Sequence, residues 1–264
     1  MKNFIIESYE NSKEEDRLTT NNARRIEFIT TTRIFDELFE NKMKVLDCAA
    51  GTGVYAFYLA NKGHEVTATD ITPRHIEIIE QKLKNKKYYM NTSILDATDM
   101  KIYEDESFDI VLNMGPLYHL ITEDLRQKCI SESLRVLKKG GLLVTSYIPR
   151  YYVFQHIAMS DRRYVDMKLA KQLIDTGVLK HDDENCFWTD TYYSSMDEME
   201  ELYIRNGLKI IEHFAQDGMS PLLRERIDAL SAAQFEVWCN YHYSICREKS
   251  VLGASNHVII VGKK

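Results

Sequence analysis

The chain has 264 residues, 44% of them hydrophobic and 28% charged, a balance ordinary for one globular domain with decoration. With 34 Lys and Arg against 40 Asp and Glu its net charge is −6, so the chain as a whole is no electrostatic trap for nucleic acid. No apolar run is long enough to cross a bilayer, and the start, Met1-Lys2-Asn3-Phe4-Ile5-Ile6-Glu7, lacks a signal-peptide core. The 5 scattered cysteines keep no framework spacing, which suits a reducing compartment and a cytoplasmic location with no membrane partner.

Residues 1–22 are polar, with few anchors (Phe4, Ile5, Ile6, Tyr9) ahead of Glu14-Glu15-Asp16-Arg17, and read as a terminal arm. Over 23–41 the apolar positions Ile26, Phe28-Ile29, Ile34-Phe35 and Leu38-Phe39 recur with helical period. A short apolar run then closes with Val45 and Leu46, as a strand buried on both faces does. Asp47 ends it, and the small residues Cys48-Ala49-Ala50-Gly51-Thr52-Gly53 lead into the helical pattern from Val54. That helix stops at Asn61-Lys62-Gly63, with glycine just past its end. A second strand, Glu65 to Asp70, is followed by Thr72-Pro73-Arg74, where proline opens the next helix. The alternation predicts a doubly wound, mainly parallel sheet, and no 20–50-residue period repeats, which excludes a solenoid.

Glycines at a strand-to-helix turn let a ligand approach bare backbone N–H groups. Two ligand classes compete. Gly51-Thr52-Gly53-Val54-Tyr55-Ala56 fits the relaxed dinucleotide fingerprint G-x-G-x-x-G/A, with Asp70 as the acid for a ribose. Asp47, however, is of no use to a pyrophosphate and suits a cationic ligand. With Asp47, Gly51 and Gly53 in place, and Ala49 where the first glycine would stand, the stretch resembles motif I of the class I S-adenosylmethionine-dependent methyltransferases.

The resemblance continues without a break to residue 148. In family terms Asp96 is the strand-end acid that meets the adenine amino group, with Ala97 donating its backbone N–H. Phe108-Asp109-Ile110-Val111-Leu112 is similar to the fourth strand, whose end, Asn113-Met114-Gly115-Pro116-Leu117-Tyr118-His119, would line the active-site mouth. A helix through Leu125, Ile130, Leu134 and Val136 is stopped by Lys138-Lys139-Gly140-Gly141, and the strand Leu142 to Ile148 follows. The implied fold is a seven-stranded Rossmann-like methyltransferase sheet, and the implied cofactor is S-adenosyl-L-methionine. Its expected contacts are Asp47, Ala49, Gly51, Gly53, Asp70, Ile71, Asp96, Ala97, Asn113 and Met114. The resemblance also implies that the N-terminal arm folds over the cofactor and brings a Tyr or Arg to its methionine end. Tyr9, Arg24 and Arg25 are the candidates, with Arg25 placed among the cofactor contacts.

After Pro149 the rhythm breaks. Two insertions, 150–195 and 217–250, interrupt a core over 23–149, 196–216 and 251–264, all within a single domain. A short helix from Met196, a strand from Leu208 to Phe214 and a last strand near Asn256 to Gly262 fit a closing antiparallel pair. The insertions follow the fifth and sixth strands and are rich in Tyr151, Tyr152, Phe187, Trp188, Tyr192 and Tyr193. They read as helical caps reaching over the pocket or as a dimer interface, leaving monomer and homodimer both open.

Methyl transfer asks mainly for alignment of nucleophile, methyl and sulfur. A phenol or carbon acid also needs a base, for which His119 and Tyr118 are the candidates, each equally able to serve the core. Tyr9, Tyr147, Tyr151 and Trp188 are the candidate substrate contacts. Asp70 can also cap the helix after it, and Asp47 can brace the glycine loop. Cys239, His242 and Cys246 lie on one helix and give only three ligands, so they read as core or interface and no metal is expected. Asn113-Met114-Gly115-Pro116 stands where an Asn-Pro-Pro-Tyr tetrapeptide would mark amino-methylation of nucleobases or glutamine. The acceptor is therefore expected to be a small molecule. The alternatives are a tRNA wobble-uridine carboxylate methyltransferase, which the net charge disfavours, and a protein that binds cofactor or nucleotide without catalysis.

Overall fold

Strands covered on both faces read as unbroken apolar runs, and the centre of this molecule is built from such runs. The computed structural model describes residues 2–10, 14–15 and 17–264. Helices α1 (Lys2–Glu10) and α2 (Asn22–Leu38) precede β1 (Lys44–Asp47), α3 (Val54–Asn61), β2 (Glu65–Asp70), α4 (Pro73–Leu83), β3 (Asn91–Ile94) and β4 (Phe108–Asn113). Then come α5 (Glu123–Val136) and β5 (Leu137–Tyr147), and a cap of α6 (Arg150–Ser160), α7 (Met167–Thr176), β6 (Val178–Leu179) and β7 (Thr191–Tyr192). The chain ends with α8 (Met196–Arg205), β8 (Lys209–Ala215), α9 (Arg224–Asp228), α10 (Ala232–Ile245), α11 (Lys249–Leu252) and β9 (Val258–Lys263).

The seven-stranded sheet runs β3-β2-β1-β4-β5-β9-β8. Its first five strands are parallel, and β9 is antiparallel to both neighbours. Along β1 and β4 alternate side chains serve opposite layers. Leu46 and Val111 join Cys129, Ile130, Leu202 and Tyr203 beneath α5 and α8. Val45, Ile110 and Leu112 join Ile34, Phe35, Leu59 and Ile79 beneath α2, α3 and α4. Leu46 is fully buried, so its truncation to alanine would cost about 2–5 kcal/mol. Chain order reverses between β1 and β4, which opens a crevice at their carboxyl ends. Because β9 is antiparallel, its start, after Asn256-His257, lies at that same rim beside Tyr147 of β5.

Three expectations change. Lys138–Gly141 belongs to β5 and does not separate helix from strand. Gly140 donates its N–H to Lys264 and Gly141 accepts from Lys264, which extends the pairing of β5 with the end of β9. The insertion 217–250 supplies no wall of the central cavity. Its α9 and α10 pack on the outer side of α2, where Ile227 and Phe235 meet Ala23 and Ile26. Of the arm expected over 1–22, residues 1, 11–13 and 16 lie outside the described residues, whereas 2–10 form a helix with Ile5 buried, and Leu18 is buried beyond it. Among the described residues no helix is long and apolar enough to cross a membrane.

Candidate active site

A cavity of about 610 Å³ opens at the carboxyl ends of the parallel strands and runs from the loops after β1 to β3 to the arm and the first cap. At its inner end the glycine loop is held by Asp70. The carboxylate accepts the Gly51 N–H at 2.9 Å on one oxygen and the Thr72 N–H at 2.8 Å on the other. The His75 ring nitrogen Nδ1 lies 3.2 Å away. Each carboxylate oxygen keeps a lone pair for a further donor. Gly51 has φ +54 and no atom within 4 Å of where a Cβ would stand, so its bare backbone faces open space.

Asp47 is 2% exposed and lines the same wall. Burial, with Asp70 nearby and a bond from the Ala49 N–H opposing, pushes its carboxyl up to about 7. No cationic side chain of the described residues answers it. Asp96 caps its own turn, accepting the Thr98 N–H and hydroxyl at 2.8 Å each. Two strand-end acids, an unanswered buried carboxyl and an open glycine backbone make a donor set that fits a ligand with adjacent hydroxyls and a cationic group. The residues present therefore fit S-adenosylmethionine.

The other end is aromatic. A short turn, Pro116–His119, follows β4 and delivers Tyr118 and His119 to the cavity. The His119 Nδ1 lies 3.1 Å from the Asp190 backbone carbonyl, which only accepts, so Nδ1 carries the proton. Nε2 is then a bare lone pair, and the Tyr9 hydroxyl donates to it at 2.8 Å. Burial pushes the imidazole down to about 4 and raises the Tyr9 phenol well above its ordinary value. Trp188 packs edge-on to His119 with centroids 4.9 Å apart. The imidazole is neutral, its tautomer is fixed, and it is covered by α1.

Beyond Tyr118 lies a charged cluster that sequence reasoning missed. Arg17 grips Glu27 with two bonds of 2.8 Å and meets Glu14 at 3.3 Å. The His257 Nδ1 lies 3.5 Å from Glu27 and 3.9 Å from Asp217. Those carboxylates outweigh burial and raise His257 to about 9, while Arg17 and His257 hold Glu27 well below the usual carboxylate range. Glu27, Asp217 and His257 offer donor atoms within 4.8 Å of one another. However, both Glu27 oxygens are taken by Arg17, and Asp217 Oδ1 accepts from Ser255, Asn256 and His257. The cluster is an ion-pair network. Its one sequence signal is a run of polar residues, Ser255-Asn256-His257, just before an apolar strand.

The cavity brings together Tyr9, Asp47, Ala49, Gly51, Asp70, Ile71, Asp96, Ala97, Met114, Tyr118, His119 and Trp188. Five expected contacts stand elsewhere. Asn113 turns to α5 and donates to Cys129 Sγ at 3.0 Å and Ser133 Oγ at 3.3 Å. Gly53 starts α3 at φ +88, and a Cβ there would meet the Phe57 ring at 2.9 Å, so it serves packing. The Tyr147 hydroxyl bonds to the His213 Nε2 at 2.9 Å on the far face of the sheet. Tyr151 is 55% exposed on the cap. Arg25 lies over the Phe235 ring at 5.2 Å, whereas its neighbour Arg24 lines the cavity. Cys239, His242 and Cys246 behave as core. The His242 Nε2 lies 3.2 Å from both the Ala215 and Gln216 carbonyls, and Cys246 is buried.

Residues 45–141 match the family model of a methyltransferase domain. A demethylmenaquinone methyltransferase of Tropheryma whipplei is 34% identical over 132 residues, 48% of this chain and 52% of that protein. A glycine/sarcosine N-methyltransferase of Parasynechococcus marenigrum is 30% identical over 104 residues, 39% of this chain and 37% of that protein. The matched segment thus spans about half or less of these relatives' length. Among solved structures, a SAM-dependent methyltransferase of Methanosarcina mazei superposes with a TM-score of 0.61 at 17% identity, covering 88% of this chain and 96% of that one.

Proposed function

We propose that the chain is a class I S-adenosylmethionine-dependent methyltransferase and that it methylates a small molecule that gives up a proton to His119. One observation carries the reading. A single cavity joins the acids Asp47, Asp70 and Asp96 at one end to a neutral, tautomer-fixed imidazole at the other.

Asp70 would hold the ribose hydroxyls, Asp96 and the Ala97 backbone the adenine, and Asp47 and Met114 the methionine side. When bound, the cofactor supplies an activated methyl on a sulfonium. The protein's own part is alignment, exclusion of water and proton transfer. An acceptor O–H, N–H or acidic C–H that takes Tyr9's place against Nε2 passes its proton there and keeps the electron pair as nucleophile. The Asp190 carbonyl steadies the imidazolium through Nδ1–H. Tyr9 and Trp188 shut out water while α1 is docked. Glu10 anchors α1 by accepting from the Arg74 backbone N–H at 3.3 Å and guanidinium at 2.8 Å. The 5 cysteines are all unpaired, in keeping with a cytoplasmic setting.

Calorimetry tests the premise, with S-adenosylhomocysteine expected to bind and nicotinamide dinucleotides to stay silent. Tight NAD binding without an S-adenosylhomocysteine signal would overturn it. A metabolite screen with isotopically labelled methyl donor then separates an enzyme from a cofactor-binding protein. For the acceptor it finds, His119→Gln should lower turnover roughly 10²–10⁴-fold. A variant with unchanged kcat would remove the base from the mechanism.

A further inference from the structure

The end of the cavity farthest from the glycine loop is walled by cations that the neighbouring carboxylates answer only in part. Arg17 donates one hydrogen from each terminal nitrogen to Glu27, and its Nε faces Glu14, so one hydrogen on each terminal nitrogen remains outside these bonds. The His257 Nδ1 edge is occupied by the Asn256 side-chain amide at 2.9 Å, with Glu27 and Asp217 beyond it, which leaves the opposite, Nε2 edge of a ring that lines the cavity. Arg24 lines the same wall. Among the described residues no carboxylate lies within 4.0 Å of its guanidinium, and burial with the like charges of Arg17 and Arg224 outweighs the more distant Glu27 and Glu14. His156, also in the wall, is held down by burial and, against the pull of Asp217, by Arg224, His257 and Arg24. Glu14, Glu27 and Asp217 are engaged by Arg17 and His257, and Arg24, which feels Glu27 and Glu14 only at longer range, has no ion-pair partner among the described residues beside a ligand-sized space.

A lone cation at a cavity wall attracts an anion, and an arginine fork with an imidazole N–H matches the two oxygens of a carboxylate. A tetrahedral dianion fits less well, because its further charge would lie beside Glu14, which lines the same cavity. Resting on the methyltransferase reading above, we propose that the acceptor is a small organic acid whose carboxylate docks between Arg24 and His257. Its nucleophilic atom is thereby turned toward His119. The cluster is then a recognition device for the acceptor as well as an anchor for the arm.

The full-length chain, saturated with S-adenosylhomocysteine, is titrated with matched probes followed by saturation-transfer NMR. The probes are acetate, benzoate and phenylacetate, each beside its neutral amide, and inorganic phosphate. Loss of a charge-assisted pair is worth roughly tenfold or more. At least one acid should therefore bind about tenfold tighter than its amide, with phosphate weaker. Arg24→Gln, at an exposed helix position that folding tolerates, should erase the preference while S-adenosylhomocysteine affinity stays within about twofold. Amides that bind as well as acids, acids that ignore Arg24→Gln, no acid binding at all, or a preference for phosphate would each overturn the proposal. If S-adenosylhomocysteine itself stays silent, the methyltransferase reading fails separately. The acid-against-amide comparison is then read on the ligand-free chain by the same criteria.

Discussion

The two ends of the cavity are assembled in opposite ways. The cofactor end is a sequence of neighbours: Asp47, Gly51, Asp70, Asp96 and Ala97 all sit at the ends of consecutive strands, so chain order alone brings them to one rim. The acceptor end is gathered from afar, with Arg17 and Arg24 from the N-terminal region, His119 after β4, Trp188 from the cap and His257 before β9. A contiguous motif can be read along the chain, whereas a wall built from distant pieces is specified only by the fold. The difference also sorts the energetics. At the first end a buried carboxylate holds backbone N–H groups of its own loops, while at the second buried charges hold one another and are costly when unpaired.

Removing the central carboxylate of the acceptor end should therefore have the largest effect. Glu27→Ala leaves Arg17 with only Glu14 and His257 with only the more distant Asp217, at a site where the Glu27 side chain is 6% exposed. The expected cost is about 3–5 kcal/mol, read as a lower melting temperature. His257 adds a pH signature. Its pKa rises from 6.5 to about 9 on folding, so its contribution is fully present below 6.5 and is lost as pH rises through about 9. Melts at pH 6, 7.5 and 9.5 should show that decline in the parent and a smaller one in Glu27→Ala, where Asp217 remains. A parent profile flat over this window would mean that the network carries no net stability.

The sheet was legible because parallel strands are apolar on both faces, and Val45-Leu46 and Ile110-Val111-Leu112 announce it. Asn113 and Tyr147 were misplaced for one reason: a linear reading says which residue is near a strand end and not which face it takes. Asn113 and Met114 are adjacent, yet alternation along a strand sends Asn113 to α5 and leaves Met114 at the cavity. Tyr147 went astray in the same way. Arg17 and His257 were invisible for another reason, since their partners Glu27 and Asp217 are far off in the chain and nothing local marks an ion pair.

Asp70 tests the first end, at an intermediate magnitude. Asp70→Asn removes a charge that would hold two ribose hydroxyls, worth about 1.5–3 kcal/mol, or a roughly ten- to hundredfold loss of S-adenosylhomocysteine affinity. Because the carboxylate also accepts the Gly51 and Thr72 N–H groups, stability should fall as well. A folded Asp70→Asn protein with normal cofactor affinity would show that Asp70 only braces the loop.

Asp47 offers a smaller, graded effect. A carboxyl raised to about 7 from 3.8 contributes stability that is fully present below 3.8 and is lost as pH rises through about 7. A cationic ligand group reverses that trend, since it favours the ionised form. Affinity for S-adenosylhomocysteine, whose amino group is cationic, should weaken below about pH 7 by at most about tenfold per pH unit. Asp47→Asn should flatten the profile. Calorimetry between pH 5.5 and 8 decides, and an unchanged slope in the variant would assign the dependence to another group.

The smallest expected effect separates two neighbouring arginines. Consecutive residues on an α-helix point about 100° apart, so Arg24 and Arg25 of α2 have to serve different surroundings. Arg24 lines the cavity. Arg25 turns toward α10, where its guanidinium lies 5.2 Å from the Phe235 ring centre and one nitrogen donates to Asn22 Oδ1 at 3.3 Å. An exposed cation–π contact contributes about 0.5–1 kcal/mol. Arg25→Ala should thus lower stability by no more than that, with S-adenosylhomocysteine and carboxylate binding unchanged. Thermal melts and the same binding titrations on both single variants make the comparison. If Arg25→Ala weakens cofactor binding severalfold while Arg24→Gln does nothing to acids, the arm carries the methionine-end contact that the sequence resemblance implied. The cationic wall would then lose its role in recognition.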